Sequence, residues 1–322
     1  SDQEKFYEDD LIAYAWSQFL ERGAKKEDIE WLPRLPMTRA VVRSMDLAQE
    51  IALQNNKELS DFVVAGASKR GWTAWTTSAV DDRVVGVAPM VIDMLNLVPS
   101  FENHYRSYGE FSPAVQDYIN YNIQDWMGTD EFKVLMSYVE PYSFLEKFTM
   151  PKYIINAGSD EFFSTDSWRF YYDELPDNKL IRYVPNANHS LNGRYLNEDF
   201  ISFFYRIVNN IDLPILNWDL IDDNLKVYLD YDGEYSVSIW RAFNEDGRDF
   251  RLWQEGELWK ESKIDVNEDN IYNIELDNQS DGYQAIMVEF NLDQDSQFPL
   301  KISTGPYVIP DSYPYEKYQP LK

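Results

Sequence analysis

The 322-residue chain contains no cysteine. Disulfides, thiolate nucleophiles and zinc–cysteine centres are therefore excluded, while the compartment stays open, since exported proteins can also lack cysteine. Histidine is almost missing too. His104 and His189 are the two imidazoles of the chain, so any imidazole chemistry falls on one of them. Basic residues are scarce: 29 Lys and Arg stand against 56 Asp and Glu, a net charge of −27. A nucleic-acid partner needs a basic face, and an anionic membrane asks for the same, so both are disfavoured. The acidity is read first as a solvated surface, with attraction of cationic peptides as the minority reading. No apolar run approaches the length of a membrane span. Ser1-Asp2-Gln3-Glu4-Lys5 is polar and acidic, with none of the features of a signal peptide. Asp265-Val266-Asn267-Glu268-Asp269 opens like a calcium loop, but Asn270 stands in place of its glycine and Leu276 in place of its closing Glu. It is read as a solvated turn, and no metal or organic cofactor is implied. No internal repeat or low-complexity stretch stands out.

What is present is apolar and aromatic. Hydrophobic residues make up 44% of the chain, enough for a packed globule. The 23 Tyr and 10 Trp favour large contacts with polar tips, in a core or a binding cleft. The length suggests roughly two domains.

The stretch Phe62-Val63-Val64-Ala65-Gly66-Ala67-Ser68-Lys69-Arg70-Gly71 organises the rest. A β-branched run passes through small residues into Gly71-Trp72-Thr73-Ala74-Trp75, which reads as a helix start. Strand, sharp turn and helix with serine at the apex is the setting of a nucleophile elbow. The turn demands small neighbours, because strand and helix pass so close. Gly66 and Ala67 meet that demand. Beyond the serine, Arg70 takes the place of the usual small residue and glycine follows one position later, at Gly71. A buried serine in an ordinary strand-to-helix turn is the competing reading, so base and acid must be found elsewhere.

Apolar spacing at 11, 12, 15, 16, 19 and 20 predicts a helix between Asp9-Asp10 and Gly23, and a second runs from a Thr38 cap through Ile51. Pro33 and Pro36 punctuate the connection. Continuous apolar runs at 84–92, 153–157 and 180–184 suit strands buried on both faces, with helical segments between them and a last helix at about 197–209. This alternation predicts a parallel α/β sheet. The aromatic-rich segment of about 96–150 reads as a helical cap insertion, or as a helical excursion merely packed on the sheet. From Leu213-Pro214 the pattern becomes strand-like, with alternation at 225–231, a hairpin turn at Asp232-Gly233, alternation at 235–239, and further runs at 249–253, 271–276, 283–290 and 299–303. The expectation is an α/β-hydrolase-type domain over 1–212 and an all-β sandwich over 213–322, ending in an irregular tail after Pro306.

In an α/β-hydrolase the order along the chain is serine, acid, histidine, each at the C-terminal end of a strand. His189 follows the last sheet strand and Asp160 the one before it, so Ser68, Asp160 and His189 have the required order and the required strand ends. Glu161 and Asp166 lie close to the proposed acid, and Asp166 could instead cap a helix over Ser167-Trp168-Arg169-Phe170. His104 lies in the aromatic segment ahead of the acid, and with Tyr105 and Arg70 it is a candidate lining residue for substrate, core packing being its alternative. The Lys69 backbone N–H, next after the serine, is the expected first oxyanion donor. The loop that normally supplies the second has no counterpart, because two helices and no strand precede the elbow where this fold has four strands. The elbow strand is then an edge strand. The expectation is an N-terminally incomplete fold, a piece of a longer protein.

Gly66-Ala67-Ser68-Lys69-Arg70-Gly71-Trp72-Thr73-Ala74-Trp75 resembles the elbow of the PhoPQ-activated pathogenicity-related proteins. Trp31-Leu32-Pro33-Arg34-Leu35-Pro36-Met37 resembles that family as well, as do Asn103-His104-Tyr105 with Ser107-Tyr108-Gly109, Gly158-Ser159-Asp160-Glu161-Phe162-Phe163, Asn188-His189-Ser190 and Arg248-Asp249-Phe250-Arg251. The resemblance implies an α/β-hydrolase domain, a C-terminal β-sandwich, a periplasmic or extracellular location, and Ser68, Asp160 and His189 as nucleophile, acid and base. More distantly the chain is similar to serine peptidases and carbohydrate esterases of the same fold, the Arg70 variant of the elbow resembling the esterases. The function expected is a serine hydrolase acting by acyl transfer on carboxylic esters, with a serine peptidase acting on peptides as the alternative. A non-catalytic binding or signalling protein on a hydrolase scaffold is the alternative from another class.

Overall fold

A computed structural model of the chain describes residues 7–191, 196–221, 224–276 and 281–322. The polar opening Ser1–Lys5 lies outside the described residues. The chain begins with two helices, α1 (Glu8–Glu21) and α2 (Arg34–Gln54). Helix α1 buries Ile12, Ala15, Trp16, Phe19 and Leu20, carries acid in its first turn and ends before Gly23 at φ +84°. Those acids suit the positive end of the helix dipole, and the positive φ is a conformation glycine adopts without a Cβ penalty. Helix α2 starts one turn earlier than its expected Thr38 cap. Pro33 sits at the N-cap in αR geometry and Pro36 falls in the first turn, where a missing N–H costs no helical bond. The Thr38 hydroxyl bonds the Arg34 carbonyl at 2.9 Å and the Thr76 hydroxyl at 2.6 Å instead of capping.

Strand β1 (Phe62–Ala67) leads through Ser68 into α3 (Lys69–Val80), followed by β2 (Val84–Met90), β3 (Lys152–Ala157) and β4 (Lys179–Val184). These four strands form one parallel sheet in the order β1-β2-β3-β4. Every residue of β3 is buried, as expected of a strand covered on both faces. Between β2 and β3 the chain is helical, with α4 (Leu97–Tyr108), α5 (Gln116–Asn120), α6 (Asp130–Val139) and short 3-10 turns. Helix α7 (Asn197–Val208) follows β4. Among the described residues β1 has a single sheet neighbour, β2.

The C-terminal region folds into two antiparallel sheets. One contains β5 (Ile215–Ile221), β6 (Asn224–Asp230) and β9 (Ile271–Glu275). The other contains β7 (Tyr235–Asn244), β8 (Lys260–Ile264), β10 (Tyr283–Leu292), β11 (Leu300–Ser303) and β12 (Tyr307–Ile309). Several expectations are corrected here. Asp232-Gly233 does not close a hairpin: β6 pairs with β5 and β9, whereas β7 pairs with β8 and β10, so the turn carries the chain from one sheet to the other. Residues 249–253 are no strand. The Asp249 carboxylate accepts the Arg251 backbone N–H at 3.0 Å, and a short helix α8 (Leu252–Glu255) begins there. The tail after Pro306 is not wholly irregular, since β12 pairs with β10.

The expected boundary at 212/213 crosses contiguous packing. Phe250, Trp259, Ala285 and Met287 share one apolar cluster with Trp75, Phe148 and Tyr183. Strand β4 is tied to the far region as well: the Tyr183 N–H donates to Ser303 Oγ at 2.9 Å, and Tyr153 Oη donates to the Lys301 carbonyl at 2.5 Å.

Candidate active site

Ser68 stands between β1 and α3 at φ 55°, ψ −130°, a conformation costly for a residue with a Cβ. The backbone holds it there: the Ser68 N–H bonds the Met90 carbonyl at 2.8 Å, and its own carbonyl accepts the Trp72 N–H at 2.9 Å. The flanking glycines explain the shifted elbow pattern. A Cβ on Gly71 would lie 2.7 Å from the Gly66 carbonyl oxygen, and one on Gly66 would lie 2.5 Å from the Arg70 carbonyl oxygen. Here the close crossing of strand and helix is made by Gly66 against Arg70 and Gly71. The Arg70 side chain is left to turn outward into solvent, 3.7 Å from Glu8.

Three strand ends converge on Ser68. The loop after β3 brings Asp160, and the loop after β4 brings His189. His189 Nε2 lies 2.9 Å from Ser68 Oγ, and its Nδ1 lies 3.1 and 3.0 Å from the two Asp160 oxygens. The two loops are locked together, since Glu161 Oε2 accepts the His189 backbone N–H at 2.9 Å and Asp160 Oδ1 accepts the Phe162 N–H at 2.7 Å. Phe162 covers the imidazole, with ring centroids 4.2 Å apart. Burial works against a charged His189, but the Asp160 carboxylate outweighs it, and the pKa ends above the ordinary value. This arrangement can pass a proton from a hydroxyl to an imidazole whose tautomer and orientation a carboxylate fixes.

Asp166 stands apart from this relay. It is buried against Arg248 at 2.7 Å, with Asn103 Nδ2 and Arg169 also on it, and it gives no side-chain cap to the turn it precedes. The lining roles expected of His104, Tyr105 and Arg70 have no counterpart in the cleft beside Ser68, which none of the three lines. His104 is buried in an aromatic cluster with Phe101, Tyr108 and Phe111, and its Nε2 accepts the Ser112 N–H at 2.9 Å. Burial, with the Arg251 charge nearby, pushes its pKa down to about 3, so it stays neutral. Tyr105 packs edge-on to Tyr318, with centroids 5.2 Å apart.

Lys69 is the first residue of α3, so its N–H has no acceptor within the helix and stands beside the serine. Its side chain bridges to Glu8 at 2.9 Å and Asp9 at 3.1 Å. Burial alone would lower the Lys69 pKa, but these two carboxylates raise it overall. Arg34 supports the elbow from behind. It is buried, donates to the Lys69 carbonyl at 2.5 Å and to Thr73 Oγ1 at 2.7 Å, and lies over the Trp72 ring at 4.6 Å. The two N-terminal helices thus hold the start of α3. Asp9, Arg34 and the two phenylalanines on the histidine are contributors that sequence reasoning did not single out, although the Trp31–Met37 and Gly158–Phe163 motifs contained three of them. A cleft of about 50 Å³ opens beside Ser68 and Lys69, with largely apolar walls.

A family model for PhoPQ-activated pathogenicity-related protein matches residues 1–251. Autocrine proliferation repressor protein A of Dictyostelium discoideum is 33% identical over 336 aligned positions, which take in 96% of this chain and 67% of that one. Among solved structures, an acetyl xylan esterase from Paenibacillus sp. R4 is similar at 15% identity and a TM-score of 0.42, over 56% of this chain and 53% of its own. Acetyl xylan esterase 1 from Thermoanaerobacterium sp. JW/SL YS485 is similar at 15% identity and a TM-score of 0.36, over 46% of each chain. The chain thus spans about half the length of these two esterases. With a parallel four-stranded sheet, an elbow at Ser68 and a family match over most of its length, the chain belongs to the PhoPQ-activated pathogenicity-related protein family and carries an α/β-hydrolase-type fold.

Proposed function

We propose that the chain is a serine hydrolase that works by acyl transfer on carboxylic esters. The observation that carries this reading is the continuous relay from Ser68 Oγ through His189 to Asp160, with 2.9 Å between hydroxyl and imidazole. Ser68 Oγ attacks the ester carbonyl carbon while His189 Nε2 takes its proton. Negative charge gathers on the carbonyl oxygen, facing the Lys69 N–H. The intermediate collapses, the bond to the leaving alkoxide breaks, and His189 returns the proton to that oxygen. Water then repeats the sequence on the acyl-enzyme, releasing the carboxylic acid and free Ser68. Asp160 holds the Nδ1 proton throughout and stabilises the imidazolium. The periplasm or the exterior is kept as the proposed location.

The test is a panel of nitrophenyl esters and peptide amides, run on the native chain and on Ser68→Ala, with a fluorophosphonate probe as a direct label of the serine. Ester turnover that falls by at least about 10³-fold in the variant, with labelling at Ser68, is expected. Equal turnover by the variant would remove the mechanism. Cleavage of amides in preference to esters would turn the reading to a peptidase, the acidic surface then suiting cationic peptides.

A signalling role on a hydrolase scaffold is the second reading. The name of the Dictyostelium relative, an autocrine proliferation repressor, favours it. An intact protein whose Ser68 resists the fluorophosphonate would decide for it.

A further inference from the structure

The cleft beside Ser68 is built unlike a site for a small polar acyl group. Its walls come from α1 (Trp16), α3 (Trp72), the loop after β2 (Ile92, Met94) and the helices between β2 and β3 (Leu97, Val115, Phe132). Its charged members are already engaged with one another, Asp9 with Lys69 at 3.1 Å and with the Tyr118 hydroxyl at 3.2 Å. Among the described residues the charges on its lining are therefore already paired, and Gln124, whose buried Oε1 has no partner, is the polar side chain left to face an otherwise apolar wall. Ser68 and Lys69, on the oxyanion side, line the cleft directly, whereas His189 meets it only behind the rings of Phe162 and Phe163, which line the cleft and pack on the imidazole. The leaving group must lie within reach of His189 Nε2, because that nitrogen returns its proton. The apolar cleft is consequently on the side of the group that stays bonded to the serine.

Resting on the serine-hydrolase reading, we propose that this cleft is an acyl pocket, and that the substrates are esters of apolar carboxylic acids longer than acetate. An acetyl group would leave most of the apolar wall in contact with water. A longer chain covers it, and each methylene transferred from water to such a wall is worth roughly a fourfold gain in kcat/KM until the pocket is full.

The experiment uses the full chain and p-nitrophenyl esters from acetate to octanoate. A rise in kcat/KM of roughly fourfold per methylene from acetate to at least hexanoate is expected. A profile that is flat, or falls from acetate onward, overturns the proposal while leaving the hydrolase reading in place. Ile119 and Met127 are half-buried residues of the same wall, where substitution is least disruptive to folding. Ile119→Trp is expected to lower the hexanoate-to-acetate ratio by roughly tenfold, and Met127→Ala to move the optimum to a longer chain. Unchanged ratios in both would place the acyl group elsewhere. A binding measurement separates the two failures: Ser68→Ala should take up neutral hexanamide more tightly than acetamide, which is read from tryptophan emission because Trp16 and Trp72 line the cleft. Equal affinity overturns the pocket. Tighter hexanamide binding by a chain whose native form turns over no ester upholds the pocket and sinks the hydrolase.

Discussion

At the scale of single residues, the proposed base His189 is expected to set the pH response. Burial opposes its charge, yet the Asp160 carboxylate leaves its pKa raised from 6.5. A general base must be neutral, so kcat/KM should decline on acidification at a pH above that of a free imidazole. Asp160→Asn removes the charge that raises the pKa. The acidic limb should then move to lower pH while kcat drops on the order of 10⁴-fold, which a pH–rate profile of the two proteins would check. The sign for stability follows from the same shift. A folded pKa above the unfolded value favours the folded state fully below about 6.5, and the gain is lost as pH rises through the folded value. The juxtaposition of Ser68, Asp160 and His189 was legible because histidine is so rare in the chain and their order along it is that of the fold. The lining was not. His104 and Tyr105 lie in an aromatic stretch whose polar tips give no hint of which face turns inward, whereas the residues on the cleft are ordinary apolar ones, such as Trp72 and Leu97, that any core would use.

At the scale of elements, the helices between β2 and β3 are pinned to the C-terminal region by one buried ion pair. Arg248 donates to Asp166 at 2.7 Å and to Ser107 Oγ of α4 at 3.2 Å, while Asn103 of α4 donates to Asp166 at 3.0 Å. Arg248→Met leaves the Asp166 carboxylate without its main partner, and the loss should be about 3–5 kcal/mol in urea unfolding. Burial alone would raise the Asp166 pKa, but Arg248, with Arg169 and Asn103, holds it at about 2. The pair's contribution is therefore present above the unfolded carboxyl range near 3.9 and is lost as pH falls toward about 2, a decline that Arg248→Met should flatten. The apolar runs announced the parallel strands and the helical segments between them to within a few residues. Pairing was harder to read. Asp232-Gly233 has hairpin chemistry, but the partners of the flanking strands arrive from β9 and β10, far along the chain, and a local turn signal carries no information about them. The short helix at Leu252 was hidden because its stabilising contact, Asp249 to Arg251, is polar and local within a run otherwise suited to a strand.

At the scale of the whole molecule, the apparent change of style at Leu213-Pro214 marks a change of secondary structure more than a line of easy separation. We propose two structural units, 1–212 and 213–322, that do not stand alone. β11 lies along β4, and Phe250, Trp259 and Met287 complete the cluster around Trp75 and Tyr183. A chain ending at residue 212 would expose that surface, so it should be insoluble or lack cooperative unfolding. A soluble fragment with a sharp melting transition and full esterase turnover would show the units to be independent. The two histidines of the whole chain occupy opposite electrostatic settings, one held neutral in an aromatic nest, the other drawn toward protonation by a carboxylate. A proton NMR spectrum of the unsubstituted protein should accordingly show one imidazole resonance that stays in place from mildly acidic to neutral pH and one that moves, so that the ionisation at residue 189 can be followed without isotope labelling or a single mutation.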